Sequence, residues 1–197
     1  PLDNVLCLAL STDGDHWDKP DLGDGTNIVM RSSGQDTGWG MFMPMRILHE
    51  PQEPRLDWRW KMAYWERPTA NSAAGICLAI SPDGLSWRSL HERPIITNAN
   101  DAMSMVTALP GVETPLGEAG WFLYQQTWKH NASLPRQRDN LKGIHRRLSI
   151  WRGPRQFDGS WVGPVTVLEP DGEDPPDLQH YWMVPYATDG GYGGLLL

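Results

Sequence analysis

Leu6-Cys7-Leu8-Ala9-Leu10-Ser11-Thr12-Asp13-Gly14-Asp15-His16-Trp17 returns seventy residues later as Ile76-Cys77-Leu78-Ala79-Ile80-Ser81-Pro82-Asp83-Gly84-Leu85-Ser86-Trp87. Seven of the twelve positions are identical and two more exchange Leu for Ile. A looser third copy runs from Arg147-Leu148-Ser149-Ile150 to Phe157-Asp158-Gly159-Ser160-Trp161. Self-similarity at a fixed period marks a repeat architecture. The local chemistry reads as a strand that ends at Ser, followed by an Asx-type turn. The Asp accepts backbone N–H groups, the Gly adopts a backbone conformation other residues avoid, and the Trp folds back over the turn. These Asp and Trp residues are therefore expected to be structural.

Working outward, the residues between the repeats supply further strand signals. Strands are expected at 41–48, 59–65, 75–81 and 94–97, and again in that order at 103–109, 121–128, 144–151 and 163–168. The chain opens with two strands of such a unit (4–10 and 27–30) and finishes with two more (181–186 and 191–197). Twelve strands without a helix, grouped in fours, describe an all-β fold: a β-propeller of four-stranded antiparallel blades. The expected division is a half blade at 1–33, blades at 34–100 and 101–170, and a half blade at 171–197, an arc of a longer, five-bladed ring. A β-sandwich is the rival, but leaves the seventy-residue period unexplained.

Composition agrees. The 197 residues include 11 Trp, 20 Gly and 17 Pro, a content suited to short strands and many turns. The net charge of −7 argues against nucleic acid as a partner, since phosphate binding needs a basic face. No apolar run approaches the roughly 18 residues of a membrane helix, so no membrane partner is expected. Cys7 and Cys77, at matching places in the repeat, read as buried free thiols rather than a disulfide. The histidines lack metal-ligand spacing, and neither a metal nor a cofactor is expected.

The Ser-x-Asp-Gly-x-x-Trp stretches, Lys19-Pro20-Asp21-Leu22-Gly23, Asn27-Ile28-Val29, Arg59-Trp60-Lys61-Met62 and Asp174-Pro175-Pro176-Asp177-Leu178-Gln179-His180-Tyr181 resemble the five-bladed β-propeller glycoside hydrolases. That clan holds the family 32 and family 43 enzymes, the β-fructosidases and arabinanases. Sialidase Asp boxes are similar but place one more residue between Asp and Gly. The resemblance implies a glycosidase whose carboxylates sit at the entrances of the innermost strands, in a central funnel. Glycosidic cleavage needs one protonated and one ionised carboxyl flanking the bond.

On that reading the candidate catalytic carboxylates are Asp101, ahead of the strand at 103; Asp177, ahead of the strand at 181; Asp36, ahead of the strand at 41; and Glu50. Trp39, Trp128 and Trp182 are candidates for stacking on a sugar ring, with Gln179 and His180 as polar substrate contacts. His145-Arg146-Arg147 reads either as a site for an acidic sugar or as a charged edge that blocks strand addition. The expected partner is thus a carbohydrate substrate. The alternative is a propeller that binds a glycan without cleaving it.

Overall fold

The computed structural model describes residues 4–38, 42–97, 103–130 and 143–197. The fold is all-β, with 48% of the described residues in strands and antiparallel pairing among them throughout. The described residues contain no α-helix; the sole helical element among them is a 3-10 turn at Leu56–Trp58. The chain divides into two compact units, Pro1–Thr97 and Asn98–Leu197.

The first unit begins with a hairpin of β1 (Val5–Cys7) and β2 (Ile28–Arg31). Four strands follow: β3 (Met43–His49), β4 (Trp60–Glu66), β5 (Gly75–Ser81) and β6 (Arg88–Ser89), each paired to the next in chain order. Every residue of β5 is buried, so this strand reads as a continuous apolar run instead of an alternating one. On one face Met62, Tyr64, Cys77 and Ala79 pack with Phe42, and Leu6, Met30 and Trp87 close over them. Side chains of this size contribute roughly 1.5–3 kcal/mol each on full burial. The enclosure pushes the Cys77 thiol up to about 12.

The two close copies of the repeat build the same turn. Gly84 N–H donates to Ser81 Oγ (2.9 Å), Leu85 and Ser86 N–H both donate to Asp83 Oδ1 (2.8 Å each), and Trp87 Nε1 donates to the Gly84 carbonyl (2.8 Å). The corresponding four bonds around Asp13 measure 2.7, 2.9, 2.9 and 2.9 Å. Gly14 and Gly84 sit at φ +84° and +76°, in the left-handed region the turn requires. The carboxylates of Asp13 and Asp83 lie below the usual range, chiefly because they accept these backbone N–H groups. The third copy is built differently. Its turn closes through Gly159 N–H to the Gln156 carbonyl (2.9 Å), and Trp161 lies over Gly153 and against Phe157. Asp158 Oδ1 is enclosed and accepts no hydrogen bond, so this Asp caps nothing through that oxygen.

Two expectations need correction. The fourth strand of the first unit is Arg88–Ser89, not 94–97: the capped turn returns the chain to β5 directly after Trp87. Pro94 offers no N–H to a ladder, and the chain rejoins β5 only where Ile96 bridges Ile76. The first copy repeats this path, touching at Leu10–Asp18, departing, and pairing again from Ile28. Cys7, expected to be buried, is exposed because β1 has a neighbour on one edge only among the described strands; both cysteines are free.

In the second unit β7 (Met103–Thr107), β9 (Gly117–His130), β10 (Ile144–Pro154) and β11 (Val162–Leu168) form the main sheet, with the short β8 (Glu113–Thr114) paired to β9. A hairpin of β12 (Met183–Thr188) and β13 (Gly191–Leu196) packs onto one face. There Tyr192 meets Val106, Ala119, Phe122 and Ile150, and Ser104 Oγ donates to the Met183 carbonyl.

The glycines of the two turns allow a direct test. A Cβ at Gly84 would lie 3.3 Å from the Trp60 ring, whereas one at Gly14 would meet nothing within 4 Å. Both substitutions to Ala carry the left-handed strain of about 1–2 kcal/mol. Gly84→Ala should cost more than Gly14→Ala in urea unfolding; equal losses would show that the Trp60 contact is without consequence.

Candidate functional site

The chemistry-bearing residues of the second unit gather at the end of the sheet opposite the turn at 155–161. Here β9 ends and β10 begins, with His130 opposite Ile144 and Trp128 opposite Arg146. β11 stops at Leu168, opposite Leu148, so the outward backbone of β10 beyond that point is open to another segment. Residues 176–181 take the place. Arg146 N–H donates to Gln179 Oε1 (2.8 Å), His180 N–H donates to the Arg146 carbonyl (3.2 Å), and His145 Nε2 lies 3.4 Å from the Pro176 carbonyl.

The Arg146 side chain is buried, with its guanidinium 5.2 Å from the Tyr181 ring centroid, a cation–π distance. Trp128 Nε1 donates to Gln126 Oε1 (2.8 Å), and Gln126 Nε2 donates to the Tyr181 carbonyl (3.0 Å). These bonds fix the Trp128 ring and the Tyr181 backbone, and both rings remain open to solvent, Trp128 at 38% and Tyr181 at 43%. Nearby, Lys129 and Arg147 share Glu169, at 3.1 and 3.3 Å, which draws its carboxyl below the ordinary value.

Of the residues expected to bind substrate, Trp128, Gln179 and His180 are thus brought together around Arg146. Trp182 follows Tyr181; it is half-buried and its enclosed Nε1 has no hydrogen-bond partner. Asp177 is exposed, in a turn closed by Leu178 N–H to the Pro175 carbonyl (2.9 Å). Asp101 and Trp39 lie outside the described residues. Sequence reasoning missed Gln126, a polar residue in a strand interior and therefore a signal, and Tyr181, adjacent to the chosen His180.

In the first unit, Asp36 and Glu50 are not brought together; they occupy opposite ends of the sheet. Asp36 Oδ1 accepts Gly38 N–H (2.8 Å), and its carbonyl accepts Arg67 Nη1 (3.2 Å), beyond the end of β4. Beside Arg67, Glu66 is buried, bound to Ser33 N–H, and burial raises its pKa above the carboxylate range. Sequence reasoning missed this group because it closes an apolar strand. Glu50 stands at the far end. There the buried ammonium of Lys61 donates to Glu50 (2.5 Å), Glu53 (3.2 Å) and the Trp58 carbonyl (2.7 Å). Residues Glu50–Glu53 line a shallow pocket of about 370 Å³. A hydrogen bond from Arg55, aided by Lys61, lowers Glu53 to about 2. This cluster is a closed charge network around a buried cation. The described residues contain no group of three His, Cys, Asp or Glu placed to hold a metal, and no helix long and apolar enough to cross a membrane.

Compared with known proteins, the chain matches no family model, no curated protein and no solved structure.

Removing the cation from the Lys61 network leaves two carboxylates facing each other, so Lys61→Met should cost about 3 kcal/mol in urea unfolding. The carboxyls of Glu53 and Glu66 carry opposite pH signs. Glu53, with a lowered pKa, stabilises above its ordinary value of 4.5, and that contribution is lost as pH falls toward about 2. Glu66, with a raised pKa, favours the fold below 4.5, and its contribution is lost as pH rises through the folded value. Stability measured against pH should therefore have a shallower acid limb in Glu53→Gln, and fall less toward neutrality in Glu66→Gln.

Proposed function

We propose that this protein is a carbohydrate-active β-propeller of the glycoside hydrolase type, and that it takes an oligosaccharide at the Trp128–Tyr181 end of the second unit. The observation that carries the reading is the convergence there of two solvent-open aromatic rings with Gln126, Arg146, Gln179 and His180. Sugar faces stack on flat rings, and their hydroxyls take hydrogen bonds from amides and imidazoles. The propeller reading is supported by the chain-order antiparallel sheets and by the seventy-residue repeat. Cleavage would need an acid and a base on either side of the bond. Asp177 lies on the loop that carries Gln179 and His180, and Asp101 precedes β7 by two residues in the chain.

One observation favours the second reading, glycan binding without cleavage. Asp177 is exposed, while a carboxyl kept protonated for acid catalysis is helped by enclosure away from water.

The test compares binding and hydrolysis on an oligosaccharide array. Trp128→Ala should weaken binding about tenfold, the loss of roughly 1.4 kcal/mol of stacking. Under the hydrolase reading, Asp101→Asn and Asp177→Asn abolish turnover while affinity persists. Undiminished hydrolysis in both Asn variants would remove the carboxylate assignment, and unchanged affinity in Trp128→Ala would remove the site.

A further inference from the structure

Gln126 is 4% accessible, in the interior of β9, where an aliphatic side chain is the ordinary occupant. Leu148 of β10 stands opposite it, and Tyr124 and Trp128 flank it on the same face of β9. Its amide is used at both ends. Oε1 accepts Trp128 Nε1–H at 2.8 Å, and Nε2 donates to the Tyr181 carbonyl at 3.0 Å. An indole N–H can only donate and a peptide carbonyl can only accept. One end of the side chain must therefore accept while the other donates. A carboxylate in this place sets a second acceptor against the carbonyl, and an aliphatic chain gives neither group a partner there.

The two groups that Gln126 joins belong to different parts of the site. Trp128 is carried by β9, whereas Tyr181 ends the segment 176–181 on the edge of β10. Among the described residues one backbone bond ties that segment to β10, from His180 N–H to the Arg146 carbonyl. Arg146 N–H is met by a side chain, Gln179 Oε1, and Tyr181 N–H goes to the Leu197 carbonyl (2.8 Å). A segment with so few backbone bonds opens locally at low cost.

We infer that Gln126 is a positioning residue whose amide couples the Trp128 ring to the segment 176–181, so that the two are held together and released together. Gln179 and His180 belong to that segment, so the polar contacts of the site are linked to its stacking surface. Such coupling is reciprocal: what steadies the ring steadies the segment, and the converse. Its bearing on a ligand rests on the sugar-site reading above, but the coupling itself is measurable without one.

The experiment is amide hydrogen exchange on the 197-residue chain, expressed as protection so that the intrinsic pH dependence of exchange is removed. The amides of Arg146 and His180 report the docked segment. Trp128→Phe keeps a half-open ring and removes only its N–H, yet protection of the His180 amide should fall about threefold or more. Gln126→Leu should lower it about tenfold, and the double variant no further. Gln126→Glu separates coupling from simple loss of packing. Ionised, the substituted carboxyl repels the Tyr181 carbonyl; protonated, its O–H donates to that carbonyl while the other oxygen still takes the indole N–H. The charged and titratable side chains around this position, among the described residues, are Tyr124 of β9, Arg146 of β10, and His180 and Tyr181 of the segment. Protection in Gln126→Glu should therefore be lost at the alkaline side and regained in acid, in a step between about pH 4 and 8 that the unmodified chain lacks. If Gln126→Leu does not fold, the other two variants decide. Equal protection in Trp128→Phe and the unmodified chain, or a Gln126→Glu profile parallel to the unmodified one, overturns the inference. On the oligosaccharide array, Gln126→Glu should lose about tenfold in affinity on the alkaline side of that step and recover it in acid. Affinity lost with protection unchanged overturns the coupling and leaves the sugar site. Coupled protection with no oligosaccharide bound by the unmodified chain removes the sugar site and upholds the coupling.

Discussion

One carboxylate oxygen, Asp83 Oδ1, accepts the N–H groups of Leu85 and Ser86 and so reverses the chain within a few residues of β5. The arrangement of the first unit depends on that reversal. β5 is buried on both faces, and every backbone polar group along it needs a partner. A short capped turn lets Ser89 and Arg88 return at once to Ala79 and Ile80. It closes in six residues, 82–87, at the end of the sheet where 50–59 join β3 to β4, while the connection 67–74 runs at the other end. In the first unit the segments carrying Asp36, Arg67 and Ser72 lie there. In the second unit the same division holds, with Trp128, Arg146 and residues 176–181 opposite the turn at 155–161.

Three buried ionisable side chains show three ways of avoiding an isolated charge in the interior. Lys61 keeps its charge by surrounding its ammonium with two carboxylates and a carbonyl. Glu66 is held by Ser33, with no cation against it among the described residues, and burial moves it toward the protonated form. Arg146 lays its guanidinium on Tyr181 while its backbone binds Gln179 and His180. The first arrangement is closed and structural. The third leaves aromatic surface in contact with solvent, which is what a ligand could use.

The copies of the repeat also show how far identical local chemistry reaches. Asp13 and Asp83 make the same bonds to within about 0.2 Å, in turns of different burial. The local geometry survives even where Trp17 remains exposed, because it is held by hydrogen bonds inside a seven-residue segment. The third copy has Asp-Gly-x-Trp, one residue shorter than the Asp-Gly-x-x-Trp of the other two, and loses the capping through Asp158 Oδ1, since the slip in spacing moves Asp158 away from the strand end.

The sequence by itself determined the all-β class, the grouping of the strands and the two capped turns. Each of these rests on interactions among residues close in the chain: alternation or apolar runs along a strand, and an Asp within three residues of the N–H groups it accepts. Tertiary structure decided which strand edges are covered, and with them the exposure of Cys7 and the place of β6. It also separated Asp36 from Glu50, since a seven-residue strand carries its two flanks to opposite ends of a sheet. The gathering of Gln126, Arg146 and Tyr181 was likewise decided by tertiary structure. These residues belong to β9, to β10 and to the segment ahead of β12, and they meet only because β11 ends early and leaves the edge of β10 for residues 176–181 to fill.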